Sequence, residues 1–230
     1  MEISIRLKTA AEFIRTGSRV ADIGTDHAYL PAYLVIHNIS PFVIGSDLRK
    51  GPLINAENTI NEYNLENKIE LRQSDGFENI NPGDADDFII CGMGGTLIRD
   101  ILAKAEWLKN PAYRLILQPQ SHSEDVREYL INNGFKIIAE KACKDAGRYY
   151  NIICAEFIGE KINKPDWYIY FGDLIFNKDE CSNKITEKNL KLLKVRCEAE
   201  GKYKSKEIHD KLSKIIEDAE VIINGNQRNI

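Results

Sequence analysis

The stretch Val20-Ala-Asp-Ile-Gly-Thr-Asp-His27 joins a short apolar run to an acidic turn that holds a single glycine. A second apolar run, Val43-Ile-Gly-Ser-Asp47, ends in another acid. In an open α/β sheet, ligands bind at the carboxyl ends of the strands, and an acid that ends the second strand can bind the ribose hydroxyls of a nucleotide-like cofactor. The two runs therefore predict a parallel sheet with a cofactor site at this edge.

The turn after the first run differs from the dinucleotide-binding fingerprint, because Gly24 stands alone where G-x-G-x-x-G has three glycines. Asp26 lies where the second glycine would let a pyrophosphate approach, and a carboxylate at that place repels phosphate. Such a turn would tolerate a cofactor with a positively charged tail. S-adenosylmethionine, which carries a sulfonium and an ammonium group, fits that description.

The amino-acid composition is that of an ordinary globular protein. Its 230 residues, 43% of them hydrophobic and 29% charged, suffice for one core of about 150 residues and a smaller unit. No apolar run reaches the roughly 18 residues of a membrane span. The five cysteines are scattered without CxxC spacing, which indicates free thiols in a reducing compartment. We therefore expect a cytoplasmic protein without a metal or a membrane partner, and we favour a monomer.

Strand and helix patterns alternate five times, and two further strands, Phe135–Glu140 and Ile152–Phe157, then follow closely. That order predicts an α/β fold, a mainly parallel sheet with one reversed strand that is covered on both faces. A Rossmann-like seven-stranded sheet of this kind is the common class I methyltransferase architecture. Periodicity alone would not separate it from a dehydrogenase domain. We assign this domain to residues 1–160.

Residues 161–230 differ in pattern, and Lys161–Pro165 reads as a linker. Two later apolar runs at helical spacing, separated by a break at Gly201, predict an antiparallel helical hairpin that resembles a coiled coil. The apolar positions are Leu174, Cys181, Ile185, Leu192, Val195 and Ala199 in the first run, and Ile208, Leu212, Ile215, Ala219 and Ile222 in the second.

These motifs together resemble the bacterial tRNA (adenine-N1)-methyltransferases that act at tRNA position 22, the TrmK-like family. The resemblance implies a methyltransferase fold, S-adenosylmethionine as cofactor, tRNA as partner, N1 of adenine as target and a C-terminal hairpin. The matching residues are Ile3-Ser-Ile-Arg-Leu7, Val20–Pro31, Gly51-Pro-Leu53, Asp75-Gly76, Gly92-Met-Gly-Gly95 and Leu115-Ile-Leu-Gln-Pro119. The chain departs from the family at Gln120, where Asn is usual, and at Asn151, where Glu is common.

The expected cofactor residues lie at strand ends. Asp26 could pair with the cofactor's ammonium or cap the next helix, and Asp47 could bind the ribose or act as a helix cap. Asp75 suits the adenine amine, or is an ordinary loop acid. His27 could bind a carboxylate or simply pack. With the residues that the resemblance adds, the predicted set is Arg6, Gly24, Asp26, His27, Asp47, Leu48, Asp75, Gly76, Cys91, Gly92 and Met93.

The candidate catalytic residues are Gln118, Gln120 and Tyr29. The two amides could orient the target base through its amine, or their loop could only shape the pocket; Tyr29 could close over the site or face the core. Adenine N1 has a neutral in-plane lone pair, so alignment and desolvation are the main tasks. The chain lacks the (Asp/Asn)-Pro-Pro-(aromatic) signature of many enzymes that methylate the exocyclic amine, which argues against N6 chemistry.

The hairpin carries a local basic stripe. Residues 184–206 hold 8 Lys and Arg against 3 Asp and Glu, whereas residues 1–159 hold 17 against 22. Such a stripe can bind phosphates even in an acidic chain, although it could also be a solvated face of an oligomerising or rigid appendage. The predicted tRNA-binding residues are Lys184, Lys188, Lys191, Lys194, Lys202 and Lys204. Two alternative functions remain open, a small-molecule or protein methyltransferase and a non-catalytic module that binds cofactor and RNA.

Overall fold

The computed structural model describes residues 1–203 and 205–227, which form a seven-stranded sheet, helices on both of its faces and a helical hairpin. The strands are β1 (Val20–Ile23), β2 (Val43–Asp47), β3 (Ile69–Gln73), β4 (Asp87–Met93), β5 (Arg114–Pro119), β6 (Phe135–Asp145) and β7 (Arg148–Phe157). The helices are α1 (Ile5–Ala11), α2 (Tyr29–Ile36), α3 (Lys50–Glu62), α4 (Gly95–Lys104), α5 (Ser123–Asn132), α6 (Tyr168–Phe171), α7 (Glu180–Tyr203) and α8 (Lys206–Gln227).

The strand order is β3-β2-β1-β4-β5-β7-β6, and β7 runs antiparallel to both of its neighbours while the other pairs are parallel. The predicted seven-stranded sheet with one reversed strand is thereby confirmed. Strand β1 is buried along its whole length, as expected for a central parallel strand. Because the order reverses between β1 and β4, the loops after these strands diverge and leave a crevice at their carboxyl ends.

The two C-terminal helices form the predicted antiparallel hairpin. Leu193 and Cys197 of α7 and Leu212, Ile215 and Ala219 of α8 are buried in a shared cluster. This cluster excludes water from one face of each helix, which stabilises a pair of helices that would be marginal alone. Among the described residues, no helix combines the length and the apolar character needed to cross a membrane.

Two details of the predicted hairpin are wrong. The first detail is the buried face: Leu193 and Cys197 occupy the seam against α8. The predicted apolar positions Leu192, Val195, Ala199 and Ile208 are exposed instead. The apolar residues of α7 crowd more than one face, and the position of α8 decides which face is buried. The helix also continues through Gly201 to Tyr203. A Cβ at Gly201 would lie 2.6 Å from Cδ2 of His209 on α8, so the glycine leaves room for the His209 ring between the two helices.

A buried ion pair holds the segment before the hairpin against the sheet. Arg127 of α5 donates from Nε to Oε1 of Glu140 on β6 at 2.9 Å, and both side chains are fully buried. Arg127 also donates to the carbonyl of Ile169, and Glu140 accepts the N–H of Asp173. Gly172 adopts a φ of 59°, and a Cβ there would overlap Glu140. We therefore propose that the sheet unit extends to about residue 177, beyond the expected boundary at 160.

Candidate active site

A cleft of about 760 Å³ opens at the carboxyl ends of β1, β2 and β4, with α1 along one side. Its wall combines residues from the N-terminal segment, the turn after β1 and the ends of three strands. The predicted residues that line it are Arg6, Gly24, Asp26, His27, Tyr29, Asp47, Cys91, Gly92, Met93 and Gln120. The fold thus brings together most of the residues that the sequence selected from distant positions.

Four predicted residues do not line this cleft. Leu48 is largely exposed, the Asp75 carboxylate lies 3.6 Å from Nζ of Lys104, and Gly76 packs against Ile101. The fourth, Gln118, is fully buried beneath the cleft. Contact of Asp75 and Gly76 with a cofactor stays a prediction, because neither residue lines the cleft.

The turn after β1 is built around Gly24. Its φ is 86°, and a Cβ would overlap the terminal methyl of Met93. The N–H groups of Gly24 and Thr25 both donate to the carbonyl of Ser46, at 2.7 and 2.8 Å. Glycine is therefore favoured by the backbone conformation, and it also leaves room for the Met93 methyl.

Asp26 and its neighbours form the mouth of the cleft. The side chain of Asp26 is 68% exposed, and its Oδ2 lies 3.6 Å from Nε2 of His27. The His27 ring stacks on Tyr29, with centroids 5.0 Å apart. Helix α2 begins at Tyr29 with Ala28 as its N-cap and no side-chain cap, so the capping alternative for Asp26 is wrong. Its carboxylate is available to a ligand at the cleft entrance.

Two carboxylates lie deeper in the cleft. The pKa of Asp22 is raised to about 6, chiefly by burial and to a smaller extent by nearby Asp47, while the Thr25 hydroxyl and the Arg6 guanidinium favour the ionised form. Asp47 accepts the N–H of Arg49 at 2.8 Å, so it shapes the local turn as well as lining the cleft. Asp22 was not among the predicted site residues. The signal in the sequence that could have identified Asp22 is its place as an acid inside the otherwise apolar strand β1.

A single amide joins three elements beneath the cleft. Oε1 of Gln118 on β5 accepts Nη1 of Arg6 on α1 at 2.7 Å and the N–H of Gly92 on β4 at 3.1 Å. Its Nε2 donates to the carbonyl of Pro119 at 3.0 Å. Because Gln118 is buried and already bonded, it does not reach a target base in the cleft, contrary to the prediction. We propose instead that it positions Arg6 and Gly92.

Gly92 is the residue at which the β4–β5 pairing shifts register, with a φ of 84°. A Cβ at Gly92 would lie 3.6 Å from Nη1 of Arg6 and 3.7 Å from Nε2 of Gln120. The Gln120 N–H donates to the carbonyl of Met93 at 2.8 Å, which fixes this loop beside the cleft. Burial raises the pKa of the Cys91 thiol well above its usual value, so Cys91 stays neutral and packs.

The sheet order and the position of the cleft are those of a class I methyltransferase fold. A family described as a methyltransferase domain matches residues 3–153. The tRNA (adenine(22)-N(1))-methyltransferase of Bacillus subtilis (strain 168) is 38% identical over 156 residues, which cover 68% of this chain and 66% of that protein.

Solved structures extend the similarity over nearly the whole chain. The crystal structure of the B. subtilis m1A22 tRNA methyltransferase TrmK matches with a TM-score of 0.86 and 30% identity, covering 96% of this chain and 99% of that one. M. capricolum TrmK in complex with the cofactor product S-adenosylhomocysteine matches with a TM-score of 0.81 and 26% identity, covering 96% and 100%. The chain belongs to the TrmK-like family of methyltransferases.

The buried Asp22 predicts a pH-dependent stability. Its folded pKa of about 6 lies above the ordinary 3.8, so the contribution it makes is complete below pH 3.8 and is lost as the pH rises through about 6. Asp22→Asn removes this dependence. Between pH 4.5 and pH 8, the free energy of unfolding of the wild type should therefore fall by about 2 kcal/mol relative to that of the variant. Urea titrations at both pH values measure this, and a pH-independent difference would contradict the assignment.

Proposed function

We propose that this protein transfers a methyl group from S-adenosylmethionine to N1 of the adenine at position 22 of tRNA. The observation that carries the proposal is the acidic cleft at the carboxyl ends of β1, β2 and β4, in a chain whose relatives include a tRNA (adenine(22)-N(1))-methyltransferase. The acids Asp22, Asp26 and Asp47 disfavour a phosphate-bearing cofactor and favour a cationic one that carries hydroxyl groups.

The residues present fit S-adenosylmethionine, which supplies an electrophilic methyl group on a sulfonium when bound. Asp47 ends β2 and can accept both ribose hydroxyls. Asp22 and Asp26 lie on either side of the Gly24 turn, where carboxylates attract an ammonium group. The glycine turn lets the cofactor approach the backbone closely.

The edge formed by Gly92 and Gln120 is where the acceptor base would meet the methyl group. Glycine leaves room for a flat ring, and the exposed Gln120 amide can orient the base through its amine. The methylated base is cationic, so an amide oxygen at this edge stabilises the developing charge. Because N1 is engaged in duplex RNA, the base must leave its stack before reaction.

The predicted tRNA-binding lysines are not equivalent in the structure. Lys184 lies 3.0 Å from Glu187 on the same helix, and Lys194 lies 2.5 Å from Glu220 on α8. Lys188 lines a groove beside the cleft, and Lys202 lines a depression at the hairpin tip. Lys204 lies outside the described residues. We propose that Lys184, Lys188, Lys191 and Lys202 contact phosphates, while Lys194 chiefly bridges the two helices.

Nucleoside analysis tests the proposed reaction. The protein is incubated with S-adenosylmethionine and unmodified tRNA, and the digested nucleosides are separated by chromatography and identified by mass spectrometry. We expect 1-methyladenosine. Formation of N6-methyladenosine, or no transfer to RNA while a small molecule or protein is methylated, would contradict the proposal.

Replacement of the β2 acid tests the cofactor site. Asp47→Asn keeps an oxygen for the Arg49 N–H but removes the charge that faces the ribose. Loss of that charge should weaken S-adenosylmethionine binding about tenfold or more, since a hydrogen bond to a charged group contributes about 1.5–3 kcal/mol. Calorimetric titration measures the dissociation constant, with Asp100→Asn on α4 as the control. Equal affinities of both variants would exclude Asp47 from the site.

Gln120 is expected to act on the acceptor and not on the cofactor. Gln120→Ala should slow methyl transfer about 10- to 100-fold through misalignment of the base, while the dissociation constant of S-adenosylmethionine stays unchanged. Gln120→Asn retains the amide and should keep most of the rate. Single-turnover kinetics measure the rate of methyl transfer, and calorimetry measures the affinity for S-adenosylmethionine. A normal rate in the alanine variant would show that the loop only shapes the pocket.

A further inference from the structure

We propose that a groove beside the cleft binds the nucleotide next to the target adenine, an inference that rests on the proposed function. The groove, here called the α7 groove, has a volume of about 220 Å³. It lies between residues 119–124, where β5 leads into α5, residues 149–151 at the start of β7, and residues 185–192 of α7. The methyltransferase unit provides two of its walls, and the hairpin provides the third.

The α7 groove adjoins the cleft. Gln120 lines both spaces. Tyr150 lines the groove, and the guanidinium of Arg6, which lines the cleft, lies 5.8 Å from the centre of the Tyr150 ring. An RNA strand that places one base beside Gln120 in the cleft can therefore place its next nucleotide in the groove.

An unpartnered donor lies in the groove wall. Asn151 is only 6% exposed, and its Nδ2 has no hydrogen-bond partner within the part of the chain that the structure describes. A buried amide without a partner is unfavourable, and native proteins usually satisfy such a group. Because Nδ2 itself is closed to solvent, an acceptor atom of a bound nucleotide would satisfy it once the side chain turns toward the groove. Asn151 is also a position at which the sequence departs from the family, where Glu is common.

The remaining walls suit a nucleotide. Lys188 supplies a positive charge for a phosphate, and the groove continues along α7 past Asn189 and Leu192 to Arg196. Glu124 also lines the groove and adds a negative charge, and its carboxylate lies 3.5 Å from Nδ1 of His122.

Tyr149 offers an aromatic ring to a base. Its hydroxyl donates to Glu180 at 3.0 Å, which holds the ring against the start of α7. Stacking of a base on an aromatic ring does not depend on sequence, so one subsite can serve tRNAs with different flanking bases. Lysine, arginine, tyrosine and a buried amide donor together favour RNA as the occupant.

The test compares groove variants with matched controls in the full-length protein. Lys188→Gln and Tyr149→Ala alter the groove. Lys214→Gln makes the same charge change on α8 outside the groove, and Tyr149→Phe keeps the ring without the bond to Glu180. Dissociation constants are measured for unmodified tRNA at several salt concentrations, and for the same tRNA with an abasic residue on the 5′ or the 3′ side of the target adenine.

We expect Lys188→Gln to weaken tRNA binding and to reduce the salt slope by roughly 0.7–0.9, whereas Lys214→Gln matches the wild type. Tyr149→Ala should weaken binding of intact tRNA roughly tenfold, and Tyr149→Phe should not. On one of the two abasic tRNAs, Tyr149→Ala should have no further effect, because the base that stacks there is already missing.

Two results would overturn the subsite. One is equal tRNA affinity and salt slope for Lys188→Gln and Lys214→Gln. The other is the same loss in Tyr149→Ala on intact and on both abasic tRNAs, which would indicate a purely structural effect of the ring. Wild-type protein is assayed in parallel for 1-methyladenosine. If it forms none, the proposed function fails, and that outcome is separate from the behaviour of the groove variants.

Discussion

The buried amide of Gln118 is the interaction on which the geometry of the site depends. It binds α1 through Arg6 and the bulged end of β4 through Gly92, and it lies on β5. Few side chains can accept two such donors and also donate to a carbonyl from one buried position. The cleft wall is therefore held by a side chain that does not reach its surface. Mutational effects at Gln118 would reach the reaction through Arg6 and Gly92.

The charges of the molecule are separated in a way that matches two different ligands. Carboxylates from β1, the following turn and β2 line the cleft, where a cationic cofactor fits. Lys188 and Arg196 lie along α7, on the side of Gln120 that faces away from the cofactor pocket. A polyanion is thereby attracted beside the cleft and repelled from its interior. The ion pair of Arg127 and Glu140 keeps the segment that leads into the hairpin fixed against the sheet.

Much of the sheet and part of the site could be predicted from the sequence, because strand periodicity and acids at strand ends are local signals. Asp47 and Gly24 follow from that rule. The buried face of α7 could not be predicted, since Leu192 and Leu193 are equally apolar and only the position of α8 distinguishes them. Likewise, Gln118 is buried where it bonds Arg6 of α1, and the pKa of Asp22 is raised chiefly by burial and to a smaller extent by Asp47. Both effects depend on residues that are distant in sequence.

The most direct test of the account is the position of the methyl group on a defined tRNA. Two transcripts are compared, one with adenine at position 22 and one with guanine there, after incubation with protein and S-adenosylmethionine. Nuclease fragments are then analysed by mass spectrometry. We expect one methyl group on the fragment that contains adenine 22, as 1-methyladenosine, and none on the guanine transcript. Equal methylation of both transcripts, or methylation at another nucleotide, would contradict it.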